Sequence, residues 1–381
     1  MKKIFCVFGT RPEAIKMAPV CLELKRQKKY FQTVVCVTAQ HREMLDDVLR
    51  LFHISPRYDL NVMRHSQTLT DITSDVLRRL SPILEKEKPD LVLVHGDTTT
   101  TLAAALAAYY HRIPVAHVEA GLRSRDMFNP YPEEANRVIT DSLCDILLAP
   151  TAQARRNLLE ENVPAGKIFV TGNTVIDALL RTSGSRRPPA ARCSGGRMIL
   201  VTAHRRENFG PPLEHVCAAI RRVVRAHPDV RIVYPVHLNP NVQKTVRRRL
   251  AGVPRIELLP PVGYVRLVGL MKEAYFVVTD SGGIQEEAPS LGKPVLVLRK
   301  VTERPEAVAA GTVRVVGTDE ERVFRWMSRL LTDSREYRKM ANAVNPYGDG
   351  RAAERTVHAI RYYFGFSRSR PGVFRPGKSN R

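Results

Sequence analysis

Short runs rich in Val, Ile and Leu alternate along the chain with longer stretches whose apolar residues recur every three or four positions. The runs at 3–9 (KIFCVFG), 33–39 (TVVCVTA), 91–96 (LVLVHG), 114–119 (PVAHVE), 146–149 (ILLA) and 168–172 (IFVTG) predict strands. Helices are predicted between them, at about 12–28, 69–87, 98–111, 132–143 and 151–161. The pattern then restarts, with strands at 198–203, 231–237, 255–259, 276–280, 294–298 and 312–316 and helices at about 212–227, 239–250, 263–274 and 319–331. Strands apolar on both faces and separated by helices imply parallel sheets covered on both sides. The chain thus reads as α/β, with two doubly wound, Rossmann-like domains facing a cleft. The first domain spans 1–182, a Pro-, Gly- and Arg-rich linker 183–197, and the second domain 198–366. The last helix is expected to pack back on the first domain, and the basic tail 367–381 to be disordered. Sheets of this kind bind ligands beyond the carboxyl ends of their strands.

Charge raises a rival class. Sixty Lys and Arg against 38 Asp and Glu leave +22 on 381 residues, which suggests a nucleic-acid-binding module. Residues 181–197 hold five Arg and no acid, and the tail 367–381 holds four Arg, one Lys and no acid. Those two stretches read as linker and tail, and the rest is spread over helices such as 221–225 and 247–249 without interleaved aromatics. A solvated basic surface is therefore preferred to a nucleic-acid groove. No apolar run reaches the ~18–20 residues of a membrane helix. The opening MKKIFCVFG reads as a first strand rather than a signal peptide, so a cytoplasmic protein is expected. Six scattered cysteines form no CxxC pair, which argues for reduced thiols over disulfides or zinc.

Candidate chemistry sits just after strands. Gly9-Thr10-Arg11-Pro12 opens a helix after the first strand, where Arg11 and Lys16 add cations to helix-start amides, an anion-site pattern. Ser281-Gly282-Gly283 follows an apolar strand in the same way, with Glu287 one turn on as a candidate ribose acceptor. Asp97 and Glu119 end neighbouring strands, and Glu133 and Glu134 open a helix. Carboxylates in such places suit general acid/base work, with helix-dipole compensation the plainer reading for Glu133 and Glu134. No metal spacing is present among them. His204 and His237 lie at strand ends and suit anion handling, whereas His95 and His117, inside apolar strands, read as satisfied core histidines.

Nine motifs then fall in one order: GTRPEAIKMAPV (9–20), QHREMLD (40–46), HGDTTTTLAAALAA (95–108), HVEAGLRS (117–124), YPEEANR (131–137), TGNTVIDAL (171–179), TAHRREN (202–208), VHLNPNV (236–242) and TDSGGIQEEAPSLGKPVLVLR (279–299). Together they closely resemble the non-hydrolysing UDP-N-acetylglucosamine 2-epimerases. The resemblance implies a glycosyltransferase-B-like fold, a homodimer, and reversible C2 epimerisation of UDP-GlcNAc to UDP-ManNAc without cofactor or metal. The reaction it implies is anti elimination of UDP to 2-acetamidoglucal followed by syn re-addition, in the service of polysaccharide biosynthesis. By motif position it implies acid/base and cation-stabilising roles for Asp97, Glu119 and Glu133, and help to the departing diphosphate from His204. It implies UDP-sugar contacts from Arg11, Lys16, Ser281, Gly282, Gly283, Glu287 and Arg304. It also implies an allosteric UDP-GlcNAc site at Gln40, Glu43, Gln67, Arg206 and His237, close to Glu133. Ser66 stands where some regulated members carry Arg, and Glu43 where some carry Gln. A hydrolysing epimerase, or an epimerase of a related UDP-2-acetamido sugar, is the alternative within the class.

Overall fold

The computed structural model describes residues 1–38, 42–64, 67–184, 196–302 and 304–377, the side chains of 42–44 aside. Two compact units emerge. Of the described residues, the first comprises Met1–Ala178 and Tyr347–Arg375, the second those of Leu179–Pro346 with Pro376 and Gly377.

The first unit runs β1 (Lys2–Phe8), α1 (Arg11–Arg26), β2 (Phe31–Val37), α2 (Arg42–Leu51), β3 (Tyr58–Asp59), α3 (Leu69–Glu87), β4 (Leu91–His95), α4 (Thr99–Tyr110), β5 (Val115–Val118), α5 (Glu133–Leu143), β6 (Ile146–Ala149), α6 (Ala152–Glu160) and β7 (Ile168–Val170), and α7 (Thr174–Ser183) carries the chain on into the second unit. Its sheet is parallel, in the order β3-β2-β1-β4-β5-β6-β7. The order in which strands are added reverses between β1 and β4, the kind of switch point where such sheets take ligands. Ile4–Phe8, Leu91–Val94 and Ile146–Ala149 are fully buried, as their continuous apolar sequence demands. Each such Leu, Ile or Val contributes ~1.5–3 kcal/mol of burial. Helix starts are fixed locally. Thr10 and Glu13 form a capping box on α1, Thr68 and Asp71 another on α3, and Thr98 and Thr151 cap α4 and α6.

The second unit runs β8 (Arg197–Thr202), α8 (Pro211–Ala226), β9 (Val230–Pro235), α9 (Pro240–Leu250), β10 (Ile256–Leu259), α10 (Tyr264–Glu273), β11 (Phe276–Thr279), α11 (Gly282–Glu287), β12 (Val295–Val297), α12 (Pro305–Ala309), β13 (Val313–Val315), α13 (Glu320–Thr332) and α14 (Ser334–Ala341). Its parallel sheet has the order β10-β9-β8-β11-β12-β13. Ile199, Val201, Ile220, Val223, Ile232, Tyr234, Phe276 and Val278 centre its core.

The chain then returns to the first unit in α15 (Ala352–Tyr363), which packs on α1 and β6. Two expectations change here. Residues after Phe366, expected as a disordered tail, continue ordered along the first unit to Arg375. Phe374 is buried there and donates its N–H to the Val170 carbonyl at 2.9 Å. Apolar Phe374 gives the basic tail something to bury, which its charge and Pro/Gly content conceal. The linker also narrows at both ends, because α7 extends to Ser183 and β8 starts at Arg197; its middle, 185–195, lies outside the described residues.

The Asp177 carboxylate caps α15, accepting from the N–H groups of Ala352 and Ala353 at 3.2 and 2.8 Å. Burial pushes its pKa from 3.8 up to about 6, against the lowering effect of those two hydrogen bonds. The folded protein therefore holds this proton more tightly than the unfolded chain between pH 4 and 6. The stability from this group, up to about 3 kcal/mol, is complete below pH 4 and lost as pH rises through 6. Asp177→Asn lacks that proton linkage. Its melting temperature relative to the wild type is expected to rise between pH 4 and 7; a gap independent of pH contradicts the assignment.

Candidate active site

In the first unit the ends of β1, β4 and β5 lie side by side, and the site grows from the three turns that follow them. After β1, the buried Glu13 accepts from the N–H groups of Gly9 and Thr10 at 2.9 and 2.6 Å and from the Thr98 hydroxyl at 2.6 Å. That carboxylate locks the β1 turn to the β4 turn. Gly9 is required by contact: a Cβ there would stand 2.0 Å from Thr38 Oγ1. Lys16, one turn into α1, forms an ion pair with Glu119. Arg11, partly exposed, has no ion pair among the described residues.

Glu119 follows β5 with φ at 70°, left-handed backbone that costs a non-glycine residue ~1–3 kcal/mol. Its side chain is 9% exposed, and Oε2 accepts from Asn173 Nδ2 at 3.0 Å besides meeting Lys16. His95 Nε2 lies 3.6 Å from the same oxygen. His95 is buried, and among the described residues neither ring nitrogen has a hydrogen-bond partner. This corrects the expectation of a satisfied core histidine: its strand ends at the carboxylate cluster, so the ring meets Glu119 rather than a backbone acceptor. His117 fits that expectation, its ring spanning the Asp141 carboxylate at 2.6 Å and the Gly96 carbonyl at 2.7 Å. Burial pushes the Asp141 pKa up, but His117 and Arg123 outweigh it and hold the carboxyl below its usual range.

Asp97, after β4, forms an ion pair with Arg137 of α5, and its carbonyl accepts from Asn136 Nδ2 at 2.9 Å. One turn earlier on α5, Glu133 has an oxygen, Oε2, that is buried without a hydrogen-bond partner among the described residues. Glu134 has a different task. Its carboxylate takes the N–H groups of Ser124 and Arg125 at 2.9 and 3.0 Å and holds that loop.

In the second unit the ends of β9, β8, β11 and β12 supply the counterpart. Asp280, fully buried after β11, accepts through Oδ2 from the N–H groups of His204 and Arg205, both at 2.8 Å, and from Asn208 Nδ2 at 3.0 Å. Its other oxygen, Oδ1, lies 3.5 Å from His204 Nδ1. The His204 ring stacks on His237, centroids 5.2 Å apart. Ser281 stands at the N-cap position of α11, where Gly282 is flanked by two guanidinium groups. A Cβ at Gly282 would lie 3.7 Å from Arg304 Nη2 and 4.0 Å from Arg205 Nη2. Arg304 is aimed by buried Glu286, which accepts from its Nε at 2.5 Å. Buried Glu287 accepts from the Tyr264 hydroxyl at 2.8 Å, and burial pushes the Tyr264 pKa far up, which keeps that hydroxyl a donor. A small-residue turn under two arginines suits a diphosphate; a buried carboxylate beside it suits sugar hydroxyls.

Gln40 and the Glu43 side chain lie outside the described residues. Gln67 is spent within its own unit, accepting from the Arg64 N–H at 2.8 Å and donating to the Val62 carbonyl at 2.7 Å. Arg206 and His237 are exposed. Arg137, Asn173, Asp280, Glu286 and Tyr264 were not singled out from sequence. The first four lie inside quoted motifs, and what was missing was the partner rather than the position. Among the described residues no group of three or more His, Cys, Asp or Glu is placed to hold a metal ion. The basic run Arg247–Arg249 is partly neutralised, since Arg248 and Arg249 both pair with Glu214.

A family model for UDP-N-acetylglucosamine 2-epimerase matches residues 23–361. The chain belongs to the UDP-N-acetylglucosamine 2-epimerase family. Membership makes it an isomerase. It is 56% identical over 370 residues to the UDP-N-acetylglucosamine 2-epimerase of Yersinia pestis, covering 94% of this chain and 98% of that one. The crystal structure of UDP-GlcNAc 2-epimerase from Neisseria meningitidis bound to UDP-GlcNAc superposes with a TM-score of 0.86 at 48% identity, covering 94% of this chain and 100% of that one. The glycotransferase of kitacinnamycin, 14% identical with a TM-score of 0.66 over 95% of this chain and 98% of that one, shares the fold alone. The two parallel sheets are thus those of a glycosyltransferase-B-like epimerase.

Asp280 is the keystone of the second unit's turn, and Asp280→Asn must turn an N–H toward groups that donate. The expected loss is ~1–3 kcal/mol of stability, read as a lower urea midpoint with unchanged slope. An unchanged midpoint contradicts the role.

Proposed function

We propose that this chain interconverts UDP-GlcNAc and UDP-ManNAc without releasing the sugar, and that the acids of the first unit act on the pyranose of the nucleotide whose diphosphate the second unit holds. The supporting observation is the pair of carboxylates, Asp97 and Glu119, at the ends of neighbouring strands, each beside a fixed cation. The C2–H of the sugar is not acidified by a carbonyl, so direct deprotonation is hard. Elimination solves this. The C1–O bond breaks, UDP departs with the bonding pair, and positive charge develops at C1. A carboxylate removes the C2 proton from the face opposite the leaving group, giving 2-acetamidoglucal. UDP then returns to C1 while a proton is delivered to the other face of C2, a syn addition. Asp97, Glu119 and Glu133 supply the acid/base groups and the negative field that favours the cation. Arg304, Arg205 and the Ser281–Gly283 turn hold the diphosphate, His204 assists its departure, and Glu287 takes the ribose. The bound UDP-GlcNAc named for the Neisseria meningitidis relative supports this substrate.

The finer assignments follow. A homodimer is supported by Tyr109 and Tyr110 of α4 and Ile139 of α5, exposed apolar residues on two helices that pack together. A second UDP-GlcNAc acting as activator is supported by exposed Arg206 and His237. The five described free thiols fit the reducing cytoplasm.

UDP-GlcNAc incubated with pure protein in D₂O, with no acceptor, is expected to give UDP-ManNAc carrying deuterium at C2 by NMR. Free ManNAc would mean a hydrolysing enzyme; absence of exchange would sink the proposal. Asp97→Asn and Glu119→Gln are each expected to cut turnover about 100-fold or more while leaving UDP affinity unchanged. Undiminished turnover in either variant would show that another acid does the work.

A further inference from the structure

We propose that residues 367–375 form a latch that positions Glu119, acting through Phe374, Gly172 and Asn173. The latch rests on the epimerase reading above and names a positioning device for it. Residues 367–375 lie beyond the family match, which ends at 361.

The segment is built to stay in place. β7 is the outer strand of its sheet and leaves backbone carbonyls in need of donors. The Phe374 N–H serves Val170 at 2.9 Å, and Arg370 Nη2 serves Ile168 at 3.1 Å and Gly166 at 3.3 Å. The Arg370 guanidinium also lies 4.6 Å over the Phe169 ring. Phe374 is 4% exposed, so its ring is held as a core residue is held.

What Phe374 rests on gives the latch its consequence. Its Cγ would lie 3.4 Å from a Cβ on Gly172, the residue at φ 88° that turns the chain out of β7. Arg355 closes the other side, with its guanidinium 5.5 Å over the Phe374 ring and Nη1 donating to the Thr171 carbonyl at 3.1 Å. The next residue is Asn173, whose Nδ2 donates to Glu119 Oε2 at 3.0 Å. The Asn173 N–H is held by the Tyr347 carbonyl at 2.6 Å; Phe374 backs the glycine before it, and that turn carries an amide aimed at a catalytic carboxylate. A displacement of about 1 Å at a reacting group can cost roughly 100-fold in rate.

The test compares full-length wild type, Phe374→Ala, Phe374→Leu, a chain ending at Phe366, Asn173→Ala and the Asn173→Ala/Phe374→Ala double variant. For Phe374→Ala and the truncated chain the expected result is a fall in kcat of about tenfold, within the cost of a partial displacement, with KM and UDP affinity unchanged. Phe374→Leu refills the space and recovers most of the loss. In the Asn173→Ala background Phe374→Ala adds nothing, because its effect already passes through that amide. Retained UDP affinity shows that the protein is folded, and if Phe374→Ala fails to fold, the milder Phe374→Val decides in its place, alone and in the Asn173→Ala background: a kcat loss that the Asn173→Ala background abolishes supports the latch, and no loss overturns it. Wild-type kcat in Phe374→Ala overturns the latch, as do losses that multiply in the double variant. An inactive wild type would instead overturn the epimerase reading on which the latch depends.

Discussion

Glu119 is buried, conformationally strained and paired all at once, and the first unit is arranged around that combination. Burying a carboxylate costs several kcal/mol unless a cation and donors replace the lost water. Lys16 from α1, the helix after β1, and Asn173 from the turn after β7 provide them, so segments that follow three strands of one sheet converge on one charge. The left-handed backbone of Glu119 persists because those partners over-determine it. Such a group has nowhere to relax when positive charge appears nearby. Fixed charge of this kind lowers a barrier without reorganising at the moment of reaction.

The second unit applies the same logic with the opposite sign. Two arginines flank the Gly282 turn, and two buried acids keep the arrangement rigid: Glu286 aims Arg304, and Asp280 holds the backbone of His204 and Arg205. Cations flank the turn, and acids fix them in place. The division suits a substrate with an anionic leaving group and a sugar that turns transiently cationic.

Every strand expected from sequence is present, because runs such as LVLVH and ILLA are apolar on both faces and fit only the middle of a covered parallel sheet. The two-residue β3 was not legible, being too short for any periodicity. Asp97 and Glu119 were legible because they end strands; their partners were not. Arg137 lies 40 residues from Asp97, Asn173 lies 54 from Glu119, and Asp280 lies 76 from His204, separations fixed by sheet order and not by local pattern. The same limit explains His95, read as core because its strand is apolar, and the terminal segment, read as disordered because its Arg, Pro and Ser outnumber the single Phe that anchors it. Local sequence reports which residues are polar at strand ends; only the assembled sheet reports which of them meet.

The central claim is that the sugar and UDP separate and rejoin on the protein. UDP-GlcNAc carrying ¹⁸O in the bridge between C1 and the β-phosphate tests it directly, with the label's position followed by ³¹P NMR as epimerisation proceeds. The account predicts that the label moves into the non-bridging β-phosphate oxygens, since a freed UDP can return through any of them. Epimerised product that keeps all of its ¹⁸O in the bridge would contradict a UDP freed to return through any of those oxygens.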